Sequence, residues 1–119
     1  MLGLKIIDSF GGQFAKAAQY EISFNESGEW RLVGEGVTDS RGTAKPIADR
    51  ESYFPGYYEL TLFLGEYFRA AGYPLPGRKF VDIVPIRFGI DSVAETTEIT
   101  VTVGPNGYSV HRSIGDATA

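Results

Sequence analysis

Residues 95–114 read ETTEITVTVGPNGYSVHRSI. Up to residue 103 they alternate strictly, with Ile99, Val101 and Val103 on one face and Thr96, Glu98, Thr100 and Thr102 on the other. Period-two alternation of β-branched residues is the mark of a strand with one buried face. Pro105, Asn106 and Gly107 then supply turn material, and residues 107–113 return as a second strand. The returning strand carries His111, the only histidine in the chain. The parity of the hairpin depends on its turn. With Pro105 and Asn106 as a two-residue loop, Thr100 faces His111 and Glu98 faces Ser113, so Glu98 and His111 become diagonal neighbours on one face. With a bulge at Gly107 after a type I turn, the parity slips and His111 turns to the other face.

Working outward, the rest of the chain reads the same way. Residues 2–8 form a strand with Leu4, Ile6 and Asp8 on one face and Lys5 and Ile7 on the other. Residues 9–16, with two adjacent glycines, read as a loop. Residues 19–24 (QYEISF) and 30–35 are further strands, and residues 43–50 are a short edge piece because of Pro46. Residues 53–63 hold an aromatic strand, and residues 65–71 form the one helix, stopped by Gly72 and Pro74. Residues 79–87 give another alternating strand, and residues 115–119 a frayed tail. About seven short strands, a turn signal every 8–12 residues and one short helix predict an all-β, antiparallel sandwich as a single domain over residues 1–119.

Composition narrows the function classes. The net charge is −4 and no basic run occurs, which excludes nucleic acid and an anionic membrane as expected partners. With no cysteine and one histidine, disulfides, thiol catalysis and a His- or Cys-built zinc site within one subunit are excluded. No apolar run approaches the length of a membrane span. The expectation is a cytoplasmic protein without a metal or other cofactor.

Four separated stretches carry a resemblance. LKIID at residues 4–8, TDSRG at 38–42, FPGYYELTLFLGEYFRAAG at 54–72 and GPNGYSVHRS at 104–113 are similar, in order and spacing, to motifs of the transthyretin family. That family includes the hormone carrier transthyretin and the bacterial 5-hydroxyisourate hydrolases. The resemblance implies a transthyretin-like sandwich of seven to eight strands, assembled as a homotetramer. Dimers would join edge to edge and face each other across a channel lined by the first strand and the last hairpin.

The resemblance also marks departures. Where the hydrolases use a histidine in the first strand, this chain has Lys5; where they use an arginine after the turn, it has Thr43. Glu98 stands in place of their second histidine, and His111-Arg112-Ser113-Ile114 in place of Tyr-Arg-Gly-Ser, so only Arg112 is unchanged. Without either imidazole the usual activation of water at neutral pH is lost, and ordinary hydroxyisourate hydrolysis is not expected. Hormone carriage is not expected either.

The site expectation is therefore a refitted channel. Glu98, His111 and Lys5 are the candidate catalytic groups, with Lys5 as an anion hook and Glu98 orienting His111 as acid or base. Thr43, Thr100, Thr102, Ser109, Arg112 and Ser113 are the candidate binding residues for a small molecule. Each has a plainer reading, in which Glu98 is a solvated residue on an open sheet and Lys5 and His111 are surface side chains. Ring opening, cyclisation or isomerisation fits the enzyme reading. A non-catalytic carrier, a weakly active hydroxyisourate hydrolase and a scaffold with a vestigial channel are the alternatives.

Overall fold

The computed structural model describes residues 1–116, in which two sheets pack face to face around one core. Strands are β1 (Leu2–Asp8), β2 (Gln13–Phe14), β3 (Gln19–Glu26), β4 (Glu29–Val37), β5 (Thr43–Ala44), β6 (Gly56–Phe63), β7 (Ile83–Ile90), β8 (Glu95–Gly104) and β9 (Gly107–Asp116), with helix α1 (Leu64–Ala70) after β6. One sheet runs β2-β1-β8-β9 with β5 also on β1, and the other runs β4-β3-β6-β7.

The alternation read from sequence is what the core uses. Leu4 and Ile6 from β1 and Ile99, Val101 and Val103 from β8 point inward to meet Ile22, Tyr58, Leu60 and Leu62 of the facing sheet. Helix α1 closes one end with Leu64, Tyr67 and Phe68 buried. Of the aromatic cluster, Tyr58, Tyr67 and Phe68 are core, whereas Phe54 and Tyr57 are exposed. No helix among the described residues is long and apolar enough to cross a membrane.

Several boundaries differ from the sequence reading. The central pair β1–β8 is parallel, so the sandwich is not wholly antiparallel. The loop at residues 9–16 contains β2, which pairs with the end of β1. The edge piece shrinks to β5 and passes into a 3-10 turn, Arg50–Ser52. The strand predicted over residues 79–87 starts at Ile83 and continues to Ile90, because its pairing with β6 runs from Phe63↔Ile83 to Gly56↔Ile90. Gly115 is not tail but strand, paired with Thr96; residues 117–119 lie outside the described residues.

Candidate functional site

The turn takes the two-residue form. Gly104 pairs with Gly107, so Thr100 faces His111, Thr102 faces Ser109 and Glu98 faces Ser113. The parallel register of β1 on β8 then sets Lys5 beside Thr100, Gly3 beside Glu98 and Ile7 beside Thr102. On the far side of β1, Thr43 of β5 faces Lys5. A lateral row, Thr43–Lys5–Thr100–His111, thus crosses the outer face of the sheet, flanked by the rows Gly3–Glu98–Ser113 and Ile7–Thr102–Ser109. Thr100 is the centre, with Lys5 on one side, His111 on the other and Glu98 two residues along the strand. At ordinary strand spacing Lys5 and His111 lie about 10 Å apart across the row, a span suited to a small molecule.

Thr43, Lys5, Glu98, Thr100 and Thr102 are half-buried, and Ser109, His111 and Ser113 are exposed. Two devices shape the row. Asp39 accepts hydrogen bonds from the Thr43 N–H at 2.9 Å, the Thr43 hydroxyl at 2.7 Å and the Arg41 N–H at 2.9 Å. Those same donors, the Thr43 N–H first, hold the Asp39 carboxyl below its ordinary value. Thr43 therefore spends its proton on Asp39 and offers a ligand only acceptor lone pairs. In the same turn Gly42 has φ +72°, and a Cβ there would run into the Ile6 carbonyl, so glycine is required. The second device is Phe14, whose ring lies under the Lys5 ammonium at 5.0 Å from its centroid.

Arg112 stands apart from the other expected site residues. It faces Ile99 and so belongs to the opposite side of the sheet from His111. Its guanidinium comes within 3.9 Å of the Glu95 carboxylate, and it lines a cavity between the sheets whose walls also include Thr97 and His111.

Two outer-face groups were missed by sequence reasoning. A Cβ on Gly3 would sit 3.3 Å from Lys45 Cβ and 3.6 Å from its Cδ, so the Lys45 stem lies across Gly3 in the row of Glu98. Counting two residues on from Thr43 would have found it, once β5 was known to pair with β1. Phe14 had no strand signal around it. Asp8, on the inward face of β1, accepts hydrogen bonds at one oxygen from the Phe10 and Gly11 N–H groups and at the other from the Tyr67 and Tyr73 hydroxyls. Burial pushes its carboxyl up, but those four donors outweigh burial and hold it below the ordinary value. Burial, and then the bond to Asp8, raise the Tyr67 phenol far above its usual range. Among the described residues no cluster of three His, Asp or Glu side chains could hold a metal ion.

The model of the HIUase/Transthyretin family matches residues 2–113. The chain belongs to this family. Among curated relatives, the 5-hydroxyisourate hydrolase of Halalkalibacterium halodurans is 31% identical over 109 residues, covering 90% of this chain and 92% of that protein. That of Pseudomonas aeruginosa is 31% identical over 108 residues, covering 90% and 86%. Among solved structures, an (S)-allantoin synthase superposes with TM-score 0.85 at 30% identity; it covers 94% of this chain, which spans 42% of that longer one. Transthyretin from Sparus aurata superposes with TM-score 0.84 at 19% identity, covering 97% of each chain, and shows the shared fold. Within the family fold, the outer face of the β1–β8–β9 sheet is where this chain collects Lys5, Glu98 and His111.

Proposed function

We propose that this family member is a refitted, cofactor-free enzyme whose site is the outer face of the five-stranded sheet. It acts by acid–base chemistry on a small polar, carbonyl-bearing metabolite, and ordinary 5-hydroxyisourate hydrolysis is not its reaction. The observation that carries this reading is the triangle around Thr100, with Lys5 and His111 flanking it and Glu98 diagonal to both. In a ring opening or isomerisation, His111 takes a proton from the substrate and returns it at a neighbouring atom. Glu98 orients the imidazole, and the Lys5 ammonium balances the charge that develops on the carbonyl oxygen. Nothing is oxidised or reduced in such a step. Thr100, Thr102, Ser109 and Ser113 supply hydrogen bonds to the ligand.

The working form is a cytoplasmic homotetramer. Supporting this, β9 pairs among the described residues only with β8, and Tyr108, Val110 and Ile114 along it are exposed, an apolar edge that a second copy would cover. Light scattering at micromolar concentration tests it; a monomer would remove the channel from the argument.

A second reading, a weak 5-hydroxyisourate hydrolase, is favoured by the bacterial relatives at 31% identity. Against it, Lys5, Thr43, Glu98 and His111 replace the groups that the hydrolases use. The decay of freshly generated 5-hydroxyisourate separates the two. No acceleration at catalytic protein levels is expected, and a clear one would overturn the refitted-enzyme reading. Protein-dependent exchange of an acidic C–H proton in deuterated water, across a panel of small carbonyl compounds, distinguishes an enzyme from a carrier.

A further inference from the structure

The outer face of the five-stranded sheet carries a second lysine besides Lys5. Residues 42–47 run alongside β1, where the Ile6 N–H donates to the Gly42 carbonyl at 2.8 Å and the Ile47 N–H donates to the Leu2 carbonyl at 2.9 Å. Between those two anchors Thr43 faces Lys5 and Ala44 faces Leu4. Ala44 packs against the core, so alternation puts Lys45 on the outer face with Thr43 and Lys5. Lys45 stands in the row of Gly3, and Gly3 in turn faces Glu98.

Gly3 is what lets Lys45 lie there. Of the outer-face positions of β1, residues 3, 5 and 7, it alone has no side chain. The Lys45 stem covers it, with the Lys45 Cβ 3.3 Å from where a Cβ on Gly3 would be, and Gly3 is buried as a result. Lysine commonly lays its stem on a surface in this way and keeps its ammonium in water. Neither Lys45 nor Lys5 joins an ion pair among the described residues.

Charge then selects what the face can hold. The protein carries −4 overall, yet the strand rows of this face set two ammoniums, Lys5 and Lys45, against one carboxylate, Glu98. A monoanion matches that balance, whereas a dianion would meet Glu98 with a charge to spare. Positions 3 and 5 are about 7 Å apart along β1, so two flexible lysine stems can bring both ammoniums onto one small ligand.

We propose that Lys45 is the carboxylate anchor of the outer-face site and that the substrate class is a short oxo monocarboxylate. This rests on the reading of that face as an acid–base site. The substrate carboxylate accepts from the Lys45 ammonium, and its ketone oxygen accepts from Lys5. When His111 takes a proton from the carbon beside the ketone, the C–H electron pair forms a C–C double bond and the carbonyl pair moves onto the oxygen beside Lys5. The carboxylate at Lys45 has the same charge before and after that step. Lys45 therefore acts on binding and selectivity, not on the chemical step.

2-Oxobutyrate is the probe, and 2-oxobutyramide, the same skeleton without the charge, is its control. Each is titrated into the whole protein and followed by amide chemical shifts. Saturating shifts centred on residues 3, 5, 45 and 98 are expected. The acid should bind about fivefold more tightly than the amide, the contribution of an exposed ammonium–carboxylate contact. Lys45→Gln should bring the two ligands to equal affinity, and Lys45→Arg should keep the preference. So should Lys79→Gln, which removes a positive charge beside Gly65 of α1 instead. A preference that survives Lys45→Gln, or no saturable binding of the acid, would overturn the proposal. Exchange of the 2-oxobutyrate C3 protons in deuterated water tests the underlying reading separately. Lys45-dependent binding without protein-dependent exchange would sink the enzyme and leave the anchor standing. Exchange with equal kcat/KM for acid and amide would sink the anchor and leave the enzyme.

Discussion

Two carboxylates on neighbouring strands of the same sheet have opposite fates. Asp8 of β1 points inward, is fully buried, and accepts hydrogen bonds from two backbone N–H groups and two tyrosines. Glu98 of β8 points outward, is half-buried, and accepts no hydrogen bond among the described residues. A carboxylate on the core side must have its partners supplied by the fold, because leaving it unpaired there costs several kcal/mol. One on the outer face is under no such demand, and its lone pairs stay available for a ligand. The pair separates a carboxylate that holds the structure from one that is free to act.

The largest effect should come from breaking the inner member. Asp8→Ala leaves two phenols and two backbone N–H groups without an acceptor, and should cost about 3–5 kcal/mol in urea unfolding. Glu98→Ala, measured alongside, should stay within about 0.5 kcal/mol, as expected for a surface position. Equal losses in the two variants would erase the contrast.

Next in size is the reverse contrast, in activity. On the true substrate, His111→Ala and Glu98→Gln should each lower kcat by about 10²–10⁴, the usual contribution of a general acid or base. Lys5→Ala should raise KM about tenfold and change kcat less. The melting temperature should barely move in any of the three, since none belongs to the apolar face. Full activity in both His111→Ala and Glu98→Gln would reduce the outer face to the wall of a pocket.

The smallest effect concerns pH. The folded Asp8 carboxyl titrates below its unfolded value, so its contribution to stability is complete above the unfolded pKa of about 3.9. It is lost as pH falls through the lower, folded value. Chemical denaturation between pH 5 and pH 2 should therefore show stability declining, and Asp8→Asn should flatten part of that decline. An identical slope in wild type and Asp8→Asn would mean that other carboxylates set the acid limb.

The strands and their faces were legible in the chain because a strand writes its own orientation in alternate residues. Leu4, Ile6, Ile99, Val101 and Val103 were assigned inward on that ground alone, and Thr100 with Glu98 outward. Two turn residues between Gly104 and Gly107 were enough to carry the parity over to His111 once one register was chosen. Period-two pattern is silent on which strands lie side by side. That Lys5 neighbours Thr100, and that Lys45 lies over Gly3, follow from the parallel contact of β1 with β8 and the antiparallel contact of β5 with β1. Those pairings join residues far apart in sequence. The same is true of Tyr53, in the segment between the 3-10 turn and β6, which meets Thr97 of β8 and Arg112 of β9. Alternation could say that Thr97 and Arg112 turn away from Glu98 and His111, but only the packing of one sheet on the other decided what they turn toward.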